Sequence, residues 1–453
     1  MIRLFISLFA LALSCSASAQ DTFYYSGGKK IELTKTAPSN SAIQKNIANS
    51  NYECYTDKYG SELYTTGYIY VKLKSLSDSS LLKDVASKND MTIFRQNKYM
   101  PLWYSLHTSE NKAALTVSIA NSLYETGIFA ECTPDFAMEG KEISYDTDVH
   151  EQWGLHNASN KGVDISVSEA WNYATGRNVV IAIIDEGIDL EHKDLADNIY
   201  EKSYDALTDS NKSRLYGEHG THCAGIAAAV RNNGLGITGV APDAKLMSVS
   251  FKFDGDLSSS YASNAINWAW MNGADIISCS WTCAENSLVT DAIELAQRNG
   301  RKGKGCIVVK SAGNGNIFHL PLDTMSFPGN YKGVIAVGNL LSDGKIADDS
   351  NRGKNLLVVA PGTKILSTIP DDQYKYDKGT SMAAPHVSGV AALMLEQNPN
   401  LTYDEVKEII AITAKRLDTM PVGEKRQWGY WDETYGYGLI NARDAVREAI
   451  YWK

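Results

Sequence analysis

The chain has 453 residues and carries 43 lysines and arginines against 53 aspartates and glutamates, so its formal net charge is −10 at pH 7. This length allows two or three domains. The acidic balance argues against a protein that binds nucleic acid through a basic surface, and no apolar run after the first residues is long enough for a transmembrane helix.

The first 19 residues have the pattern of a cleavable export signal. Residues 1–3 carry one positive charge, at Arg3, residues 4–13 are apolar but too few to span a bilayer, and residues 16–19 offer the small side chains of a cleavage site. We expect an exported protein, secreted or periplasmic, whose processed chain begins at Gln20. A lipoprotein anchored through Cys15 is the weaker alternative, because the residues before it form a poor lipidation signal.

Two segments precede the predicted boundary at residue 150. Residues 20–66 are expected to form a small strand-rich extension, to which no role is assigned. Strands are predicted at 68–74, as a pair within 91–107 broken near 98–99, and at 128–136, with helices at 76–88 and 111–126. This βαββαβ order predicts that residues 67–149 form a smaller ferredoxin-like α+β domain.

Residues 150–453 alternate between apolar, β-branched strands and helices. This alternation predicts an α/β domain with a mostly parallel sheet and helices on both faces. The predicted segments are 179–184, 219–230, 245–251, 259–271, 275–280, 287–299, 306–311 and 334–337, with closing helices at 401–417 and 441–449.

Four reactive side chains stand at the ends of such segments. Asp185 ends an apolar strand, where open α/β sheets build their sites. His219 opens a helix, Asn314 follows a strand, and Ser381 opens another helix. A helix start offers unused backbone N–H groups and the positive end of the helix dipole, which favour the anion that acyl transfer develops. A serine that only caps its helix would be the simpler interpretation of Ser381 taken alone.

Around these residues the sequence resembles the subtilisin-like serine proteases. The resemblance rests on IDEG at 184–187, HGTHCAG at 219–225, SAGN at 311–314 and GTSMAAP at 379–385, and it extends from about Gln152 to the end of the chain. The order of aspartate, histidine and serine is that of subtilisin, and differs from that of chymotrypsin and the α/β-hydrolases. Glu186 is a departure, because the family more often has serine, threonine or aspartate there.

The resemblance implies a role for each of the four residues. Ser381 would be the nucleophile, His219 the general base and acid, and Asp185 the group that orients and stabilises the imidazole. Asn314 would donate to the oxyanion together with the backbone N–H of Ser381. Two alternatives are a relative that only binds peptides and an esterase or lipase. The second would need a Gly-x-Ser-x-Gly segment, which Ser381 lacks.

A structural calcium site is also implied. The Gly-rich segment 232–242 looks like the calcium loop of subtilisins, and Ca²⁺ prefers six to eight oxygen ligands. Lys193 departs from the family pattern, which often has proline at this position. The implied ligands are the side chains of Gln152, Asp194 and Asn233 and the carbonyl groups of Arg231, Leu235 and Ile237.

The substrate cleft is less well defined by the resemblance. Its implied lining is Ser280, Trp281 and Thr282 on one side and Ser311, Ala312 and Gly313 on the other, above a floor near Ser326 and Phe327. Thr282 stands where the family usually has glycine, and no acidic residue obviously lines the pocket, so uncharged side chains are the expected preference. Trp281 could equally be a packing residue.

Residues 67–149 look like the inhibitory propeptide of subtilases, in the longer form of fervidolysin-like enzymes. Residues 139–146 would then be a connector that lies in the active cleft and is cut. A permanent substrate-binding module is the alternative. The resemblance implies protein or peptide substrates and a monomer.

Six cysteines remain once Cys15 is removed with the signal. Cys54 and Cys132 could pair before the catalytic domain, and Cys279 and Cys306 are expected on neighbouring strands. Cys223, one helical turn after His219, is expected to be a buried thiol without a catalytic role. Sequence alone leaves the connectivity open.

Overall fold

The computed structural model describes residues 23–36, 53–56, 62–97, 100–108, 110–138, 144, 146–253, 259–315 and 324–452. The chain divides into two compact units, Met1–Glu139 and Gly140–Lys453, so the division falls upstream of the boundary predicted at residue 150. The predicted export signal, Cys15 and most of the predicted connector lie outside the described residues. Within those residues, no helix combines the length and apolar character needed to cross a bilayer.

The N-terminal unit contains two antiparallel sheets and two α-helices among its described residues. Its strands are β1 Phe23–Ser26, β2 Lys29–Glu32, β3 Thr34–Lys35, β4 Cys54–Thr56, β5 Glu62–Lys72, β6 Met91–Gln96, β7 Trp103–Thr108 and β8 Glu131–Met138. Its helices are α1 Ser79–Lys88 and α2 Thr116–Glu125, with 3₁₀ turns at Leu76–Asp78 and Glu110–Leu115.

Strands β5 to β8 and the two helices follow the predicted βαββαβ order. Strand β5 pairs with both β7 and β8, and β7 pairs with β6, which gives the spatial order β8-β5-β7-β6. Alternate residues Ile69 and Val71 of β5 are fully buried and pack in one core with Leu82 of α1. Strand β5 begins within the predicted extension, and through β4 and β3 it joins that extension to the same sheet.

The C-terminal unit is built around a large sheet. The strands of this unit, some of which lie outside that sheet, are β9 Val180–Asp185, β10 Tyr204–Asp205, β11 Lys245–Ser250, β12 Ile276–Cys279, β13 Ile307–Ser311, β14 Ile335–Leu340, β15 Leu356–Pro361, β16 Ile365–Ile369, β17 Gln373–Asp377, β18 Glu424–Arg426 and β19 Gly429–Trp431. Its helices are α3 Val167–Ala170, α4 His219–Ala228, α5 Ser259–Met271, α6 Ser287–Gly303, α7 Thr380–Gln397, α8 Tyr403–Thr413 and α9 Ala442–Tyr451, with 3₁₀ turns at Val149–Glu151 and Ala196–Asn198.

Seven strands form one parallel sheet in the order β10-β11-β9-β12-β13-β14-β15. Every residue of β9 is buried, and all of them except the last, Asp185, are apolar, as expected for a strand that is covered on both faces. In register, Cys279 lies beside Ile184 on one side and beside Lys310 on the other. The carboxyl ends of β9, β12 and β13 therefore meet at one edge of the sheet. Helix α7 packs against β12 to β15, and the predicted α/β fold with a smaller α+β domain is confirmed.

Candidate active site

Asp185 and His219 form a hydrogen-bonded pair. Asp185 is the last residue of β9 and is fully buried, while His219 is the first residue of α4. The imidazole Nδ1 lies 2.8 Å from Oδ1 and 3.0 Å from Oδ2 of the carboxylate. The backbone N–H of Glu186 also donates to Oδ1, at 2.8 Å. The carboxylate is thus held by two donors, and it fixes the ring with Nδ1 protonated.

The start of α7 is tied to the segment that follows β13. The backbone N–H of Thr380 donates to Oδ1 of Asn314 at 2.7 Å, and the Thr380 hydroxyl accepts from the N–H of Gly313 at 3.1 Å. Gly379 has a φ of 135°, which a side-chain-bearing residue rarely adopts, and a Cβ there would lie 3.0 Å from Nδ2 of Asn314. These contacts orient the Asn314 amide beside the helix start.

Ser381 is the second residue of α7, so its backbone N–H has no partner within the helix. Its hydroxyl donates to the carbonyl of Ser280 at 3.1 Å rather than to His219, and the Ser280 hydroxyl donates back to the Ser381 carbonyl at 2.9 Å. Cys223 lies between the two predicted catalytic residues, with Sγ 4.0 Å from Nδ1 of His219 and 3.5 Å from the Ser381 carbonyl. His219 and Ser381 therefore both contact Cys223, while the Ser381 hydroxyl itself is bonded to the Ser280 carbonyl.

The charge of His219 is governed by two opposing effects. Burial lowers the pKa of the imidazole, but the neighbouring Asp185 carboxylate favours the imidazolium, and the resulting pKa lies well above its ordinary value. Burial also raises the pKa of Cys223, so this thiol stays protonated. Cys223 is thus a neutral packing group, as the sequence predicts.

Glu186, the departure from the family pattern, is accommodated by a glycine. Its carboxylate lies against Gly217, where an added Cβ would collide with it. The pKa of Glu186 is raised, first by its partial burial and then by the adjacent Asp185 carboxylate. The Glu186 carboxylate thus occupies the space that a side chain at residue 217 would fill.

The predicted cleft residues lie at the carboxyl ends of β12 and β13 or directly after them. Ser280, Ser311 and Ala312 are buried, and Thr282 is partly exposed. Trp281 is only 4 % exposed, and its ring packs edge-on against Phe251 with centroids 5.7 Å apart. The packing interpretation of Trp281 is thus the one that its surroundings favour.

Sequence reasoning passed over Lys310, which lies next to this region. Its side chain is fully buried, and Nζ donates to the Ser311 carbonyl at 2.8 Å and to the Ser311 hydroxyl at 2.6 Å. Burial lowers the pKa of the amine to about 8. The sequence feature that could have identified this residue is a single lysine directly after the apolar run 306–309.

The predicted metal ligands are arranged around one Gly-rich loop, residues 231–237. The fully buried Asp194 carboxylate accepts from the Asn233 side chain at 2.8 Å and from the Ile237 N–H at 3.0 Å. The Gln152 amide bonds the backbone N–H and carbonyl of Thr238, each at 2.9 Å.

The donor set of this loop fits a hard cation. It combines one buried carboxylate, two side-chain amides and loop carbonyls, and oxygen ligands of this mixture suit Ca²⁺. Burial raises the pKa of Asp194 to about 6, and its hydrogen bonds offset this only in part. Tyr374, which the sequence did not single out, also donates to this carboxylate, at 3.0 Å. A bound cation would compensate the buried charge.

The cysteines are thiols in the part of the chain that the structure describes, and none of them is in a disulfide. Cys54 lies in β4 and Cys132 in β8, and the pairing considered for them is not formed. Cys279 ends β12 and Cys306 immediately precedes β13, so the prediction that they lie on neighbouring strands is confirmed.

A buried aspartate bonded to a histidine, beside a serine at a helix start on a parallel α/β sheet, defines a serine-hydrolase type of site. The chain order Asp185, His219, Ser381 is the subtilisin order. In agreement with this, the profile of Peptidase_S8, the subtilase family, matches residues 176–438. The chain belongs to the subtilase family.

Several relatives support this membership. The chain is 30% identical over 434 residues to a calcium-dependent protease of Nostoc sp., which covers 85% of this chain and 64% of that protein. It is 31% identical over 341 residues to fervidolysin of Fervidobacterium pennivorans, which covers 68% of this chain and 44% of fervidolysin. The chain therefore spans less than two thirds of the length of these two relatives. A solved protease structure from Pseudoalteromonas arctica PAMC 21717 matches 68% of this chain and all of its own, with 31% identity and a TM-score of 0.57.

Proposed function

We propose that this protein is an exported serine endopeptidase that is made as a self-inhibited zymogen and stabilised by calcium. The observation that carries the proposal is the bond of 2.8 Å between His219 and the buried Asp185, with Ser381 at an adjacent helix start. A histidine held in this way can take a proton from a nearby hydroxyl. Membership of the subtilase family supports peptide bonds as the substrate.

The proposed reaction uses groups of this chain alone. Ser381 Oγ turns from the Ser280 carbonyl and attacks the scissile carbonyl carbon while His219 Nε2 accepts its proton. His219 then gives this proton to the leaving amine, and Asp185 stabilises the imidazolium in between. The backbone N–H of Ser381 and Nδ2 of Asn314 donate to the developing oxyanion. Water then hydrolyses the acyl-enzyme by the same proton transfers.

Calcium would be held at the loop 231–237 by the Asp194 carboxylate, the Asn233 and Gln152 side chains and loop carbonyl groups. When bound, it supplies positive charge next to a buried anion and ties the loop to the segment that contains Gln152. The name of the Nostoc relative, a calcium-dependent protease, supports this choice of ion.

The zymogen part of the proposal concerns residues 67–149. Their βαββαβ order and their position before the catalytic unit are what an inhibitory propeptide would have. The export part rests on the signal-like residues 1–19, which imply a secreted or periplasmic enzyme. That the enzyme is a monomer rests on the resemblance to the family alone.

A fluorophosphonate probe tests the nucleophile directly. Folded protein should gain one probe mass on the peptide that contains Ser381, and Ser381→Ala should gain none. Ser287→Ala is the matched control, because Ser287 also lies at a helix start, where Asn286 supplies the cap, and should not react with the probe. If folded wild type stays unlabelled, the chain is a binding protein on the subtilase fold. If it is labelled but cleaves esters and no peptides, it is an esterase.

A further inference from the structure

The first described residues of the C-terminal unit lie along the loop 231–237. Asp146 is only 4 % exposed, and its carboxylate accepts from the backbone N–H of Asn232 at 2.8 Å and of Gly234 at 3.0 Å. A carboxylate that accepts two backbone N–H groups makes charge-assisted hydrogen bonds, which are stronger than neutral ones. Asp146 therefore holds the loop through backbone groups other than the one that the predicted ligand Asp194 binds.

Neighbours of Asp146 strengthen this attachment. The buried Ser144 hydroxyl contacts the Asp146 carboxylate and lies 3.2 Å from Oδ1 of Asn232. The backbone N–H of Asp148 donates to the Gly236 carbonyl at 2.6 Å. We call Ser144, Asp146 and the Asp148 backbone the loop clamp. It grips the loop at residues 232, 234 and 236.

The clamp also sets which way the loop carbonyls point. The N–H of Asn232 and the carbonyl of Arg231 belong to one trans peptide unit, so they point in opposite directions. When Asp146 binds the N–H, the Arg231 carbonyl must face away from Asp146.

Asn232 shows why the loop needs such a contact. Its φ of 63° lies in the left-handed region, which costs a non-glycine residue free energy. The bond from its N–H to Asp146 offsets part of this cost. If the loop already has this conformation before calcium binds, none of the binding free energy of calcium is spent on ordering the loop.

We propose that Asp146 is a positioning residue for the calcium loop, one that orients carbonyl ligands without touching the ion. This inference rests on the calcium part of the proposed function. It assigns a role to Asp146, which belongs to the predicted connector. The clamp must therefore stay attached to the catalytic unit when the connector is cut.

Calorimetric titration with CaCl₂ tests this role without any use of activity. The protein is the chain from Gln20 onward with Ser381→Ala, which prevents self-digestion. We expect Asp146→Ala to raise the dissociation constant of calcium about tenfold or more, because charge-assisted hydrogen bonds are lost. Asp146→Asn keeps one acceptor oxygen, so its dissociation constant for calcium should lie between those of the parent and of Asp146→Ala. Asp148→Ala is the matched control, because it removes a nearby carboxylate while its backbone N–H can still bind Gly236.

The outcomes separate the clamp from the calcium site. A dissociation constant for Asp146→Ala within about twofold of the parent would overturn the clamp and leave the calcium site standing, even if the midpoint of thermal unfolding in EDTA falls. An equal loss in Asp148→Ala would also overturn it, because long-range charge alone would explain the effect. If the parent protein binds no calcium, the calcium part of the proposed function is wrong, and the clamp has no ion to serve.

Discussion

The Nδ1 atom of His219 lies 2.8 Å from Oδ1 of Asp185, and this carboxylate is shielded completely from solvent. Because the charge of Asp185 has no water around it, the imidazole is its main partner and both the tautomer and the pKa of His219 follow from this contact. A protonated His219 cannot accept the Ser381 proton, so activity must be lost as the pH falls through the pKa of His219.

Asp185→Asn should therefore change both the rate and its pH dependence. We expect kcat to fall about 10⁴-fold, as when a triad aspartate is replaced elsewhere. Without the carboxylate, the largest of the effects that raise the pKa of His219 is lost, so this pKa should fall and the remaining activity should persist to lower pH. The measurement is kcat/KM for a peptide substrate against pH. An acid limb at the same pH in both proteins would contradict the assigned cause of the pKa shift.

Asn314 should act on kcat rather than on KM. Asn314→Ala removes one oxyanion donor, a loss of about 10²–10³-fold in kcat, or roughly 3 kcal/mol. The substitution also removes the acceptor of the Thr380 N–H, so a loss of activity could come from a disturbed helix start.

Asn314→Asp separates these two effects. It keeps an oxygen for the Thr380 N–H but puts an anion where the oxyanion forms, so kcat should be at least as low as in Asn314→Ala. Steady-state kinetics on one peptide substrate compare the variants. Near-normal kcat in Asn314→Asp would assign Asn314 to the helix start alone.

The buried Lys310 is expected to lower the free energy of unfolding of the protein. Its pKa is lowered to about 8, so the folded protein disfavours the charged amine, and at neutral pH the penalty is about 3 kcal/mol. Between about pH 8 and its ordinary pKa near 10.5, the unfolded chain holds this proton and the folded chain does not. The free energy of unfolding should therefore rise with pH across this interval, and the penalty is complete below it.

Lys310→Met in the Ser381→Ala background tests this expectation by denaturant unfolding from pH 7 to pH 10.5. The variant should gain about 2 kcal/mol at pH 7, less than the full penalty because two hydrogen bonds to Ser311 are lost. The difference in the free energy of unfolding between the variant and the parent should decrease as the pH rises. Lys345→Met, at an exposed lysine, should change stability by less than about 0.5 kcal/mol. A pH-independent difference would show that folding does not shift the pKa of Lys310.

Regular elements were the part of this fold that the sequence predicts best. Helix α5 is found at Ser259–Met271, as predicted, and the βαββαβ elements all form. Periodicity reveals such segments because burial repeats with the geometry of the helix or strand. The ends of these segments also place Asp185, His219 and Ser381, since parallel strands bring their carboxyl ends to one edge.

Contacts across long stretches of chain were not predictable in this way. Asp146 binds a residue 86 positions later, and Tyr374 binds Asp194 across 180 positions. Neither side chain belongs to a periodic pattern. Lys310 lies in an apolar run, but only the folded sheet shows that its amine has no water and bonds to Ser311. These contacts depend on which distant segments of the chain come together in the fold, and the local sequence pattern carries no information about that.

The position of the loop clamp makes a prediction about maturation. Ser144 and Asp146 belong to the catalytic unit, whose boundary lies between Glu139 and Gly140. A cut after Asp146 would remove the residue that holds the calcium loop, so we expect self-processing on the N-terminal side of Ser144. Intact mass and N-terminal sequencing of purified protein, followed over time with calcium present, measure the cut. Wild type should yield a product that begins between residues 140 and 144, and Ser381→Ala should stay whole. A mature chain that begins after Asp146 would show that the enzyme works without the clamp, whereas an uncut wild type would point to a permanent N-terminal module.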